Sequence, residues 1–454
     1  MALSDPVSLE PLDAPLGALL DLARAAGADA ADAIGLYGRA SSITVRGGEL
    51  EDIDNSEGYD IGLRVIVGRR QACVSSSDLS HGSIHRLAER AVAMAKLAPE
   101  DPYCGLVPDD RLSARRDAQG LELFDSSEPD PAALQRRALE IEAAALSVPG
   151  VRQAEGASAS LAWSAVRLRT SAGFDGGYSA SRHGLSVSAL AERDGAMERD
   201  YDHDGTRWFE DLRDPQTIGR NAGERAVARL GATSMASGAL PVLFDRRVSA
   251  SLVSALIGAI GGSAVARGVS FLKDDRGERL FPSGIDIVED PLRPRGLSSR
   301  PFDGEGVATG PFDIIRGGRL NDWLLNTSAA RQLGMKTNGH GARGLSGPPG
   351  ISTSNVALMP GELSQDALIA KAGHGLLVRE MFGPSLNPNT GDYSVGVSGF
   401  AIENGARAQP VSEVTIAGNL RDVFASLVPG SDLKHEYDTN APSLLVEGLT
   451  IAGR

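Results

Sequence analysis

The sequence predicts an α+β protein: an N-terminal two-layer α/β domain over residues 1–235, then a β-rich C-terminal domain of mixed and antiparallel strands over 236–454. Three observations carry that expectation. The order helix, three strands, helix occurs twice in the first half, with a helical face available to cover each set of strands. Beyond Gly238 short apolar runs alternate with glycine turns. At 454 residues the chain is too long for one hydrophobic core.

The first unit occupies about 12–100. Residues 16–26 are an amphipathic helix that stops at Gly27, and segments 33–45, 59–67 and 71–76 are β-type runs separated by turns rich in Gly and Asp. Ser80 then caps a helix over 84–97, which Pro99 ends. After a loop rich in Asp, Pro and Ser, the pattern repeats over about 130–231. Residues 132–146 are helical, 152–171, 183–192 and 199–209 alternate like strands, and 215–230 is helical.

In the second half an apolar strand at 241–244 leads into a helix with apolar residues at 248, 252, 253, 256, 257 and 260, closed by Gly261-Gly262. Between Val248 and Val265 there is no charged side chain, histidine or cysteine. A helix so small and apolar is expected to be buried, in a core or against a partner chain. Short helices are expected at 327–333 and 364–372, and strands at 285–288, 312–315, 376–381, 393–402, 411–416 and 444–451.

Composition excludes some functions. A formal net charge of -14, with arginines scattered among carboxylates, argues against a nucleic-acid partner. No run approaches the roughly 20 apolar residues of a membrane span, and the acidic, proline-punctuated start is unlike a secretion signal, so a cytoplasmic location is expected. Cys73 and Cys104 are too few for a disulfide framework or a multi-thiolate metal site.

Few motifs suggest chemistry. Gly339-His340-Gly341-Ala342-Arg343-Gly344 has the dinucleotide-loop spacing, but Gly347-Pro348-Pro349-Gly350 follows where a helix is needed, so it reads as a mobile surface or cleft loop. His81, His85 and Glu89 share a helical face and could hold a metal, although an exposed polar face is the plainer reading. Asp200, Asp202 and Asp204 alternate like the solvated side of an edge strand. There is no GxSxG elbow and no cysteine in an activating context. The residues alone therefore assign no catalytic group.

Longer blocks are more informative: FDIIRGGRLNDWLLNTSAARQLGMKTNGHG from Phe312, STSNVALMPG from Ser352, LNPNTGDYSVGVSGFAIENG from Leu386 and PSLLVEGLTIAGR from Pro442. In these the chain closely resembles the TldD/PmbA family, also called modulators of DNA gyrase. The resemblance implies one subunit of a heterodimeric metalloprotease that degrades or trims unstructured peptides. In the family's metal-bearing branch, a helix after a Pro-Val strand carries His-Glu, three residues, then His, and a cysteine near the C-terminus completes a zinc site. Aligned from Pro241, those positions fall on Ser254, Ala255 and Ala259, and the cysteine-bearing loop is missing between His435 and Pro442.

The chain thus resembles the metal-free PmbA, or TldE, branch. That implies no catalytic or metal-binding residue and no cofactor in this chain, with zinc only in a TldD-type partner. The expected partner is a TldD-like homologous subunit or, as the alternative, a second copy in a homodimeric peptide-binding or scaffolding protein. A peptidase with its metal moved to His81, His85 and Glu89 is a third reading. Peptides are expected to bind as added β-strands. Arg246 and Arg247, beside the vestigial positions, and Asn387, Thr390 and Asp392, in the strongest block, are the candidate cleft residues, though the latter also suit a plain turn.

Overall fold

A computed structural model describes residues 7–453; residues 1–6, which open the acidic leading segment, and Arg454 lie outside it. The first unit runs α1 (Glu10–Ala25), β1 (Ala30–Arg46), β2 (Glu49–Val67), β3 (Arg70–Ser76) and α2 (His81–Leu97). The second runs α3 (Pro131–Leu146), β4 (Val151–Thr170), β5 (Asp175–Arg193), β6 (Ala196–Thr206) and α4 (Pro215–Ala228). The helix starts are locally encoded: Ser80, Asp130 and Asp214 each accept a backbone N–H of the first turn, with proline following at 131 and 215.

The two units fuse into one six-stranded sheet, ordered β3-β2-β1-β4-β5-β6. Antiparallel pairing of β1 with β4, from Asp32 opposite Thr170 to Val45 opposite Ala157, joins them. On one face, Leu12, Leu16 and Leu19 of α1 pack with Leu87 and Ala91 of α2 over Ile61, Leu63 and Val65. Ile141 of α3 and Ile218 of α4 pack likewise over Leu185 and Val187. β3 covers only Ile61–Val67, so β2 pairs on one side alone from residue 49 to 60. Those residues lack apolar alternation, which is why the sequence suggests a strand start near 59.

The C-terminal domain is built on β7 (Gly238–Phe244), β8 (Gly375–Leu386), β9 (Asp392–Glu403), β10 (Ala406–Asn419) and β11 (Leu444–Ala452). β7 lies parallel to β8, and the remaining pairings are antiparallel. β11 also pairs back onto β10, Ile416 opposite Ile451, so the last strand closes a barrel. A smaller sheet, with strands at Ile287–Glu289, Phe312–Arg316 and Val356–Leu358, lies in the segment between β7 and β11. Closure leaves these barrel strands with no free edge where they pair, and the fold is α+β, with the barrel in the strand-rich half.

The glycine-rich loop at 339–344 is not mobile surface. His340 is buried, its Nε2 2.7 Å from Glu289 Oε2 and its Nδ1 2.8 Å from Asn338 Oδ1. Three residues on, the buried Arg343 side chain donates through Nε to Asp32 at 2.8 Å, and Arg64 Nε donates to the other Asp32 oxygen at 2.5 Å. Burial opposes ionisation of Asp32, but the two guanidiniums outweigh it and hold the carboxyl below its usual range. The glycines serve close packing: a Cβ at Gly341 would lie 2.8 Å from carboxylate oxygens of both Asp303 and Glu305. The motif is thus an inter-domain core segment.

Candidate functional site

The helix α5 (Arg246–Ala259) follows β7 directly and is capped by Asp245, which accepts the Arg247 backbone N–H at 3.0 Å. The same carboxylate holds Gln365 Nε2 at 3.0 Å and Arg379 Nη1 at 3.2 Å. Leu252, Val253 and Leu256 enter the barrel-side core with Val242, Phe244 and Val378. Ser251, Ser254 and Gly258, however, are exposed. One face of the helix is thus buried in the core, as expected, and the other is open in the single chain: its small residues pack on one face and leave room on the other.

That room is a cleft of about 300 Å³ between α5 and the edge of the N-terminal sheet. Ser254, Ser251, Arg246 and Arg247 line one side; Tyr201 and His203 of β6 line the other, with Glu436 and Tyr437. Tyr201 stacks on His203 at 5.8 Å between ring centroids, and His203 meets Tyr437 at 5.5 Å. Burial pushes the His203 pKa down, against the pull of Asp202. Arg246 Nη1 reaches Glu436 at 2.5 Å.

The aspartates opposite are a correction to the solvated-edge reading. Asp200 and Asp202 are buried, and all three carboxylates are engaged by arginines: Asp200 by Arg247 at 2.9 Å, Asp202 by Arg213 at 3.0 Å and Arg225 at 3.1 Å, and Asp204 by Arg213 at 3.6 Å. They lie opposite Ala189, Val187 and Leu185, on the sheet face covered by α3 and α4, so alternation here marks the helix side of the sheet. Burial works against ionising Asp202, but the hydrogen bond from Arg213 and the charge of Arg225 hold it at about 2.

The same network bears on how peptides could enter. The Tyr201 N–H donates to Asp200, and its carbonyl accepts from Arg225 and Arg247, both at 3.1 Å. The His203 N–H donates to Asp202 at 3.0 Å, and its carbonyl accepts from Arg213. These main-chain groups already have partners, so simple strand addition to β6 at these two positions is blocked.

A family metal would need ligands on α5, and the residues do not fit one. Ser254 Oγ donates to the Ala250 carbonyl at 3.1 Å, satisfying itself within the helix. Ala255 and Ala259 have no donor atoms, and Ala259 is buried at 8% exposure while Ser254 is exposed. His81 and His85 have ring centroids 5.5 Å apart, but among the described residues no group of three His, Cys, Asp or Glu side chains could hold a metal. The relocated-site reading lacks its geometry.

Of the other candidates, Arg246 and Arg247 line the cleft, whereas Asn387, Thr390 and Asp392 lie outside its lining, in the β8–β9 turn. There Thr390 Oγ1 donates to Asp392 at 2.7 Å, Asn419 Nδ2 donates to Asp392 at 3.0 Å, and Asn387 Oδ1 accepts the Asn389 N–H at 3.0 Å. The aromatic residues Tyr201, His203 and Tyr437 were not singled out by the sequence. Their signal is an aromatic side chain between alternating aspartates, whose meaning depends on which face is covered. No helix among the described residues is long and apolar enough to cross a membrane.

Comparisons with known proteins agree with this architecture. The chain matches the PmbA/TldA metallopeptidase domain 1 over residues 31–95, the central domain over 124–230 and the C-terminal domain over 237–453. It is 36% identical to the metalloprotease PmbA of Escherichia coli O157:H7, covering 91% of this chain and 90% of that one. With a PmbA homologue of Haemophilus influenzae it shares 33% identity over 96% of this chain and 94% of the relative. Among solved structures it superposes on a candidate modulator of DNA gyrase from Bacteroides thetaiotaomicron with a TM-score of 0.89, 26% identity and coverage of 97% and 98%. TldE from Thermococcus kodakarensis shares the fold at a TM-score of 0.86, with 20% identity and coverage of 97% and 100%. With all three domains matched and close relatives spanning nearly its whole length, the chain belongs to the PmbA/TldA metallopeptidase family, the TldD/PmbA family that its sequence resembles.

Proposed function

We propose that this chain is the non-catalytic, TldE-type subunit of a metalloprotease that acts on unstructured peptides, working with a TldD-like homologous subunit that holds the zinc. The observation that carries the reading is α5 itself. It stands at the cleft where the family's ligand-bearing helix would stand, yet offers hydroxyls bonded to their own helix and side chains with no donor atom. Zinc in the partner would polarise the scissile carbonyl and activate water. This chain would contribute a wall: Tyr201, His203 and Tyr437 offer flat faces to a peptide, with Arg246 and Arg247, each paired to a carboxylate, beside them.

The small, exposed face of α5 would also suit a second copy of this chain, which is the reading of a homodimeric peptide-binding protein. The deciding experiment measures zinc by elemental analysis and cleavage of an unfolded peptide, for the chain alone and for its mixture with a metal-bearing homologue. Activity only in the mixture is expected. One zinc per chain with cleavage by the chain alone would sink the proposal, and a stable homodimer that never captures the homologue would favour the second reading.

A further inference from the structure

Beside the α5 cleft, and sharing Arg213, Glu436 and Tyr437 with its lining, lies a second cavity of about 300 Å³ between the end of β6 and residues 293–297. Its carboxylates are already engaged. Asp204 faces Arg213, Asp211 accepts from Arg295 at 3.0 Å, and Glu436 pairs with Arg246. Two arginines of the lining, Arg207 and Arg293, have no carboxylate in salt-bridge contact among the described residues. The Arg207 guanidinium is fixed by the carbonyls of Ser181, Gly296 and Leu297, an arrangement that orients the cation without neutralising it. The Arg293 side chain makes no hydrogen bond among the described residues. Burial pushes Arg207 down to about 10, with Arg182 adding to the effect against Tyr178, and burial likewise lowers Arg293 against the pull of Asp290. Burial also lowers His435, on the same wall, and the Arg293 charge adds to this.

We propose that this cavity is a carboxylate-binding subsite of the peptide cleft, in which Arg207 and Arg293 take an acidic side chain or the C-terminal carboxylate of a bound peptide. The inference rests on the peptide-cleft reading and adds the substrate class: segments with a carboxylate a few residues from the part lying along α5. A planar guanidinium matches a carboxylate in geometry as well as charge, and a part-buried pair gains more than a solvated one. Neither covalent chemistry nor a metal is involved.

The test measures binding of three unstructured peptides of one sequence to the chain in complex with its metal-bearing homologue and to the chain alone. One carries an internal Glu and an amidated C-terminus, one carries Gln there and a free C-terminal carboxylate, and one carries Gln and the amide. At least one carboxylate peptide is expected to bind about tenfold or more tightly than the neutral one, and which one does so identifies the source of the anion. Arg293→Gln should remove that preference, read as the ratio of carboxylate to neutral peptide binding, while Arg293→Lys should keep part of it. Equal binding of all three peptides, or an undiminished preference in Arg293→Gln, would overturn the subsite and leave the peptide reading intact. If none of the peptides binds, the peptide reading fails and the subsite with it.

Discussion

Arg247 Nη2 lies 2.9 Å from Asp200 Oδ1 and 3.1 Å from the Tyr201 carbonyl, so one side chain at the start of α5 binds both a carboxylate and the main chain of the other domain's edge strand. Both side chains are largely buried, at 12% and 5% exposure. Removing Arg247 leaves the buried Asp200 carboxylate with only the longer contact to Arg229 at 3.8 Å. Arg247→Ala is expected to destabilise the chain by about 3 kcal/mol, read as a shift in the urea midpoint. A double-mutant cycle with Asp200→Asn should show coupling of about 1–3 kcal/mol, and simple additivity would contradict the pairing.

A second inter-domain tie, among several, is stricter, because Asp32 serves two buried arginines from different domains. Asp32→Asn leaves Arg64 and Arg343 without their carboxylate and should cost about 3–5 kcal/mol. Equilibrium unfolding checks this, with limited proteolysis near Arg343 reporting whether the loop is released. A variant as stable as the wild type would mean the triad adds nothing.

Glu305 gives a pH signature. Burial and the neighbouring Asp303 raise its pKa from 4.5 to about 7, although Arg64 and the Thr327 N–H favour the ionised form. The folded chain therefore binds more protons at this group than the unfolded chain between about 4.5 and 7, so its contribution to stability falls as pH rises through that window. His183, His203 and His435, held low by burial, act in the opposite direction. The measurement is thus a difference: Glu305→Gln should gain stability relative to wild type as pH rises from 4.5 to 7. A constant difference across that range would refute the assignment.

The two outer vestigial positions on α5 should respond differently to the family's ligand. Ser254 is exposed in the cleft, and Ser254→His should stay within about 0.5 kcal/mol of wild type. Ala259 is buried beside the segment whose Ser270 hydroxyl donates to the Ala259 carbonyl at 2.6 Å, and Ala259→His should cost about 1–3 kcal/mol through overpacking. Thermal unfolding of the two single variants decides it. Equal effects would mean that α5 is not seated as described.

The repeated α-β-β-β-α order and the second-half strands were legible because they rest on local signals: Ser80 and Asp130 at helix starts, and alternating apolar residues where one face is covered. What escaped the sequence is set by distant partners. Nothing near Ile34 or Leu168 says that β1 and β4 lie side by side, or that Ile451 closes a barrel on Ile416. The residues Asp200, Asp202 and Asp204 read as solvated because their arginines come from α4, the loop before it and α5, up to 47 positions away. For the site, Ser254, Ala255 and Ala259 took their meaning from a family motif, whereas Tyr437 became visible only when the chain brought it opposite β6.

The one-sided stretch of β2 has a consequence for assembly. Its unpaired edge carries Glu49, Glu51, Asp52, Asp54, Glu57 and Asp60, with Leu50 and Ile53 among the few exposed large apolar side chains of the domain. Two copies meeting there would set acid against acid along the whole contact, so this ribbon discriminates against its own kind. Edge-to-edge pairing of two copies through this ribbon is thereby disfavoured.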